Sequence, residues 1–212
     1  SKVRAIAMGP VEVFGKVVPS EQGLLEAPFT GKPCVYYRFK VEEYVGGKNR
    51  QWHTVASGKD ARRFFIRDET GDVLVDSKDA EVDLPSDFFQ SGNKAPPERV
   101  QAFMQSRKLG MKSFIGLNKN MRYTEYHLAP DDDIFVSGNA GSNSDLDGAG
   151  ISEGFRKVLI GKGGKKDFFY ISDKAENKVL DGLKWQVWGG ILGGMALLAI
   201  GLIWLLSHWK IL

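Results

Sequence analysis

The sequence predicts an α+β chain that is mainly antiparallel β, made of barrel-like β-hairpins, with one soluble amphipathic helix and a C-terminal transmembrane helix. Three observations predict it. Apolar and polar residues alternate in short runs between glycine-rich turns, one stretch between Pro96 and Leu109 has helical spacing, and no charged side chain occurs between Val187 and Leu206. A helix over that last run, about 20 residues long, rises about 30 Å, the thickness of a bilayer core.

From Ala5 to Val18, Ile6, Met8, Val11 and Val13 read as short strands punctuated by Gly9, Pro10 and Gly15. Cys34 to Val45 alternates Val35, Tyr37, Phe39 and Val41 with Tyr36, Arg38, Lys40 and Glu42, and Gly46-Gly47-Lys48-Asn49 turns it into a strand around Gln51 to Ala56. That is a long hairpin. A second hairpin joins Phe64–Arg67 to Val73–Asp76 across Asp68–Asp72, where Gly71 supplies a positive φ. Pro97 suits a first helical turn, and Val100, Phe103, Met104 and the Arg107 stem share one face before Gly110 ends the helix. Met121–Leu128 and Asp133–Gly138 read as strands, and Asn139–Gly150 as a polar loop. A third hairpin is expected between Phe155–Ile160 and Asp167–Ile171 across Gly161–Lys166. Asp173 with Glu176 forms a capping box for a helix leading through Leu180 and Leu183 toward the apolar run. The organisation is thus a β-rich first half over 1–95, a helix and second β-rich half over 96–172, and a juxtamembrane helix with anchor over 173–212.

Composition excludes several classes. At 42% hydrophobic and 26% charged the chain is globular, and a net charge of +3 gives no argument for nucleic acid. The single cysteine, Cys34, rules out a disulfide framework and a Cys-rich zinc site. The chain begins Ser1-Lys2-Val3 without methionine, which reads as a processed or trimmed start with an apolar segment lost upstream.

The candidate chemical motifs each fail on spacing. Gly161–Lys166 has the glycines and lysines of a phosphate loop but lacks the following Ser or Thr and helix. Asn143, Asp145, Asp147 and Gly148 copy half a calcium loop, yet Glu153 falls one residue early for the bidentate position. Asp131-Asp132-Asp133 reads as a turn, and His53, His127 and His208 are too scattered for zinc. Cys34 and His53 meet only if the first hairpin brings them together, and Glu42 and Glu43 face opposite ways on a strand. No catalytic, cofactor or metal residue is expected, and no cofactor.

The C-terminal segment carries the stronger functional signal. Trp185, Trp188, Trp204 and Trp209 form interfacial belts at its two ends. Gly189 with Gly193 and Gly190 with Gly194 are small-xxx-small pairs that let a second helix pack closely, from another copy or another membrane protein. The lysines before it, Lys165, Lys166, Lys174, Lys178 and Lys184 against Lys210 after, taken literally place the domain in the cytoplasm.

One succession of residues is more specific. Gly9-x-Val11-Glu12-Val13-x-Gly15-Lys16, Ala27-Pro28-Phe29-x-Gly31-Lys32-x-Cys34-Val35-Tyr36-Tyr37, Val41-Glu42-Glu43-Tyr44, Trp52, and Phe64-x-Ile66-x-Asp68-Glu69-Thr70-Gly71-x-Val73-x-Val75-Asp76 with Ala80 resemble the GIDE domain. It is also called the BAM, or "beside a membrane", domain of the MULAN mitochondrial ubiquitin ligases, and has prokaryotic relatives. The resemblance continues weakly through Thr124-Glu125-x-x-Leu128 and Phe168–Ser172. It implies a first span upstream of Ser1 and a domain on the far side of the membrane from a cytosolic RING finger, so topology stays open. A RING binds two zinc ions through eight Cys or His ligands, whereas this sequence has one cysteine and three histidines. Ligase chemistry therefore has no residues here to land on.

The function expected is a non-catalytic, membrane-anchored interaction or scaffold protein in the cell membrane of a bacterium or archaeon, with an extracytoplasmic domain favoured by the resemblance. Its partners are the membrane and other membrane proteins or its own copy, with no nucleic acid, and Tyr36, Tyr44 and Trp52 are the candidate partner surface. An accessory subunit of a larger membrane complex, packed through the glycines, is the alternative within that class. An OB-like barrel binding a lipid or oligomer is the alternative outside it, and an enzyme acting on lipid or peptidoglycan comes last.

Overall fold

The computed structural model describes residues 1–46, 50–111, 118–142, 158–164 and 167–173. In chain order the strands are β1 (Gly9–Pro19), β2 (Leu25–Glu26), β3 (Pro33–Cys34), β4 (Tyr36–Val45), β5 (Gln51–Ala61), β6 (Phe64–Asp68), β7 (Gly71–Val75), β8 (Glu81–Asp83), β9 (Phe88–Gly92), β10 (Met121–Leu128), β11 (Asp133–Ser142), β12 (Val158–Gly161) and β13 (Tyr170–Ser172). Helix α1 (Glu98–Ser106) lies between β9 and β10.

Strand β1 alternates buried Val11, Val13 and Val17 with exposed Glu12, Phe14 and Lys16, the pattern of a strand with one wet face. Its first part pairs antiparallel with β11, and Lys16–Pro19 pair with β6. A Cβ on Gly15 would stand 2.4 Å from the Arg67 carbonyl oxygen, so only glycine lets β1 cross so close to β6 where it changes partner. Strand β6 continues to β7, β7 runs parallel to β12, and β12 returns to β11, which closes a five-stranded barrel. Around the ring the strands come first, second, third, fifth and fourth in chain order, a Greek-key closure of the OB type. Val13, Val17, Phe64, Ile66, Val73, Val75, Ile134, Val136 and Ile160 fill its interior, all fully buried.

The third expected hairpin does not form. Both β12 and β13 pair with β11, through Asn139–Ser142 and Phe135–Ser137 respectively, and so follow one another along the same side of it. Strands β7 and β8 follow the same path beside them, each in parallel. The glycines after Ile160 thus interrupt a strand instead of reversing it.

A second sheet, ordered β5-β4-β10-β9, grows from the barrel wall. Its β4–β5 ladder is the expected long hairpin, with a bulge after Val41. Helix α1 covers one face: Val100 and Met104 are buried against Phe39, Val41, Met121 and Tyr123. Phe29, from the turn between β2 and β3, meets Phe39, Phe88, Phe103 and Tyr123 edge-on, with ring centroids 5.3–6.3 Å apart.

The expected α+β class is corrected to mainly β. Among the described residues the one α-helix has nine residues, and no helix is long and apolar enough to cross a membrane. The physical reason is that two sheets already bury most of the apolar side chains, and α1 caps only one of them. Residues Ser1–Asp173 form one compact unit. The expected juxtamembrane helix and the segment read as a span lie outside the described residues, as do Gly189, Gly190, Gly193, Gly194, Trp185, Trp188, Trp204 and Trp209.

Candidate functional site

Beyond its root, where Tyr126 packs against the barrel core and Lys59 meets the Ser77–Asp79 turn, the face of the second sheet turned away from α1 has no covering element among the described residues, and cross-strand register arranges it in rows. Lys59, Arg38 and Tyr126 stand side by side on β5, β4 and β10. Ser57, Lys40, Thr124 and Phe89 form the next row, and Thr54, Glu42, Arg122 and Ser91 the one after. Trp52 and Tyr44 pair beyond them, ring centroids 5.3 Å apart. Phe89 is 60% exposed, which leaves an aromatic ring in water at the β9 side.

Cations and rings interleave on this face. The Arg38 guanidinium lies 4.5 Å from the Tyr126 centroid, and that of Arg122 lies 4.0 Å from the Trp52 centroid. Glu42 receives Lys40 at 2.6 Å and Arg122 at 3.4 Å. The hydrogen bond from Lys40, with the nearby charges of Lys40 and Arg122, holds the Glu42 carboxyl below its ordinary value despite burial. Arg38 and Lys59 have no carboxylate partner among the described residues; Lys59 instead donates to the Lys78 carbonyl at 3.2 Å. A shallow hollow there is lined by Arg38, Lys40, Ser57, Gly58, Lys59 and Tyr126, with no acid in its wall. Lys59 also lines a second hollow with Arg62, Arg63, Lys78, Asp60 and Asp76, in which Arg63 is paired with Asp76 at 3.0 Å.

Of the three aromatics expected on a partner surface, Tyr44 and Trp52 are half-buried on this face. Tyr36 is 3% exposed and belongs to the barrel core. At the root of β4, where the sheet enters the barrel, both faces are covered, so strand alternation no longer predicts exposure.

The remaining candidates separate. Register sets His53 opposite Glu43, eight residues along β5 from Ala61 at the Tyr36 end, roughly 25 Å from the Cys34 side of the hairpin. Cys34 is fully buried, and burial, aided by the charges of Glu125, Asp87 and Asp60, pushes its thiol up to about 12. Such a thiol stays protonated and inert. Glu43 pairs with Lys119 at 2.9 Å on the face opposite Glu42. Asp132 accepts the Ala129 N–H at 2.7 Å and Asp133 pairs with Lys16, so Asp131–Asp133 is a turn tied to β1. The glycine loop after β12 folds onto Asp167, whose carboxylate accepts the Gly164 N–H. The Asn143–Glu153 segment lies outside the described residues. Among the described residues no three His, Cys, Asp or Glu side chains converge.

Glu125 escaped the sequence reading. It is fully buried on the α1 side, accepts the Thr30 hydroxyl at 2.6 Å and the Thr30 N–H at 3.1 Å, and also receives the Phe29 N–H. This carboxylate ties the Ala27–Lys32 turn to β10 and sets Phe29 into its aromatic cluster. The signal was present: on a strand with Met121 and Tyr123 facing inward, position 125 shares their side.

No curated protein and no solved structure matches the chain. The family model GIDE, described as E3 Ubiquitin ligase, matches residues 35–206. That stretch takes in both strands of the long hairpin, α1, and four of the five barrel strands, all but β1. The chain therefore belongs to the GIDE family.

Proposed function

We propose that this chain is a non-catalytic interaction module of the GIDE family, held at a cell membrane, whose uncovered sheet face docks a protein partner. The observation that carries the reading is the row structure of that face. Cations, aromatic rings and the buried Glu42 alternate over four strands with no covering element among the described residues. Arg, Trp and Tyr are the residue types on which interface energy concentrates. Against catalysis speak a protonated Cys34, a His53 held far from it and a carboxylate pair split between two faces. The uncharged run Val187–Leu206 and its flanking tryptophans support the membrane location.

A photo-crosslinking amino acid at Thr54, exposed on this face at the β5 edge, tests the reading in native membranes. A discrete adduct that weakens when Trp52 and Arg122 are both replaced by alanine supports docking there. No adduct from Thr54, with adducts only from the barrel wall at Glu12 or Phe14, overturns it.

A second reading has its own observation in the Greek-key barrel closed by β1, β6, β7, β12 and β11. Barrels of this type bind oligomers on their outer strands and loops. Binding of an oligosaccharide or lipid headgroup that shifts with Phe14→Ser and leaves R38E unaffected favours this reading over the first.

A further inference from the structure

We propose that the free edge of β5, with the basic hollow beside it, binds an extended acidic peptide segment of a partner protein, which adds to the sheet as a strand. This rests on the reading of the sheet face as a docking surface and names the chemistry of what docks. Two independent features meet at this place.

The first is the edge itself. Strand β5 runs for eleven residues, pairs only with β4 among the described residues, and is exposed along most of its length. An edge strand presents alternate unpaired N–H and C=O groups, the template for strand addition. Beyond the bulge, Ala56–Lys59 continue in regular register with β4 as a straight template, which ends where the Asp60 carboxylate accepts the Ala61 N–H at 2.8 Å. The second feature is charge. Lys59 and Arg38 stand in one row, without a carboxylate partner among the described residues, around a hollow with no acid in its wall, while Lys40 in the next row is paired with Glu42.

Geometry links the two. A strand added beside β5 lies about 5 Å from it and roughly 10 Å from β4. A glutamate on the uncovered face of that strand meets Lys59 directly, and its reach added to an arginine stem spans the distance to Arg38, whereas Lys40 is already held by Glu42 at 2.6 Å. An acidic residue in that row therefore meets both cations while the backbone completes the ladder. A second copy of β5 does not supply one, because its residues on this face are Trp52, Thr54, Ser57 and Lys59. Phosphates of a nucleic acid or a lipid would use the cations but leave the edge unpaired, and the edge is what selects a peptide.

The test uses the full chain in detergent and fluorescence anisotropy of a short capped peptide of alternating Glu and Val. Binding is expected, weaker with rising salt, and reduced about tenfold by Lys59→Glu or Arg38→Glu while the distant Lys94→Glu leaves it unchanged. The same peptide N-methylated at alternate residues keeps its charges but loses the ladder, and its binding is expected to fall at least as far. Three results overturn the proposal: no binding of the Glu–Val peptide, equal binding of the N-methylated one, or equal binding of oligothymidylate or phosphatidylserine vesicles. If one of these occurs while the Thr54 adduct persists in membranes, the peptide inference falls and the docking face stands; loss of both removes both.

Discussion

Arg122 joins two parts of the uncovered face at once: its guanidinium lies 4.0 Å from the Trp52 ring centroid and 3.4 Å from the Glu42 carboxylate. The ring therefore sits on a cation whose position is fixed by a buried acid, and Trp52 is held ready before any partner arrives. In a double-mutant cycle with Arg122→Ala and Trp52→Leu, read by denaturant unfolding, a coupling of about 1 kcal/mol is expected. Strict additivity would show that the two side chains do not support one another.

Glu125 is expected to be the most sensitive polar position in the domain. Glu125→Ala strips acceptors from the Phe29 and Thr30 N–H groups and the Thr30 hydroxyl, for a loss of about 3 kcal/mol. Thr30→Val removes one of those bonds and is expected to cost about 1 kcal/mol. Equal losses for the two variants in urea unfolding would contradict the role given to the carboxylate.

Two strand glycines make a graded pair. A Cβ at Gly15 meets the Arg67 carbonyl oxygen at 2.4 Å, which backbone pairing holds in place, whereas a Cβ at Gly58 meets the edge of the Phe39 ring at 2.6 Å. Gly15→Ala is expected to lower stability by roughly 3 kcal/mol and Gly58→Ala by roughly 1–2 kcal/mol, since a ring yields more readily than a β-ladder. Thermal unfolding that ranks them in reverse would refute the barrel crossing at Gly15.

Two groups give the domain opposite pH limits. Burial works against the Asp68 charge, but hydrogen bonds from Thr70, Val3 and Gly71 outweigh it and hold the carboxyl below its ordinary value. Its stabilisation is present above the unfolded-state value, near 4, and is lost as pH falls through the lower folded value. For Cys34 the folded form holds its proton up to about 12, so stability falls as pH climbs above the unfolded value, near 9. Asp68→Asn is expected to flatten the acid limb and Cys34→Ala the alkaline one in pH-dependent unfolding. Limbs unchanged by either substitution would contradict these assignments.

The hairpin ladders were legible in the sequence because their signals are local. The alternation over Tyr37–Val41, the turn after Val45 and the Asp68–Gly71 turn each act within a few residues. A barrel was among the expectations, but the pairing that closes it was not legible, since it depends on β7 finding β12 across more than eighty residues of chain. The same non-locality explains the missing third hairpin: Gly161–Gly164 has the residues of a reversing turn, but β11 holds β12 and β13 on one side, so the chain continues in its direction. Tyr36 misled because its neighbours come from the barrel and not from β4, while Trp52 and Tyr44, far out on the hairpin, obey simple strand alternation. The hollow of Arg38, Lys40 and Lys59 required a register that sequence alone does not supply.

Amide hydrogen exchange along β5, with and without the Glu–Val peptide, tests the central claim most directly. Edge amides within Ala56–Lys59 are expected to exchange fast in the free protein and to slow at least tenfold in the complex, while β1 and β6 stay unchanged. Protection that falls on the barrel strands, or none on β5, would contradict a docking face centred on this sheet edge.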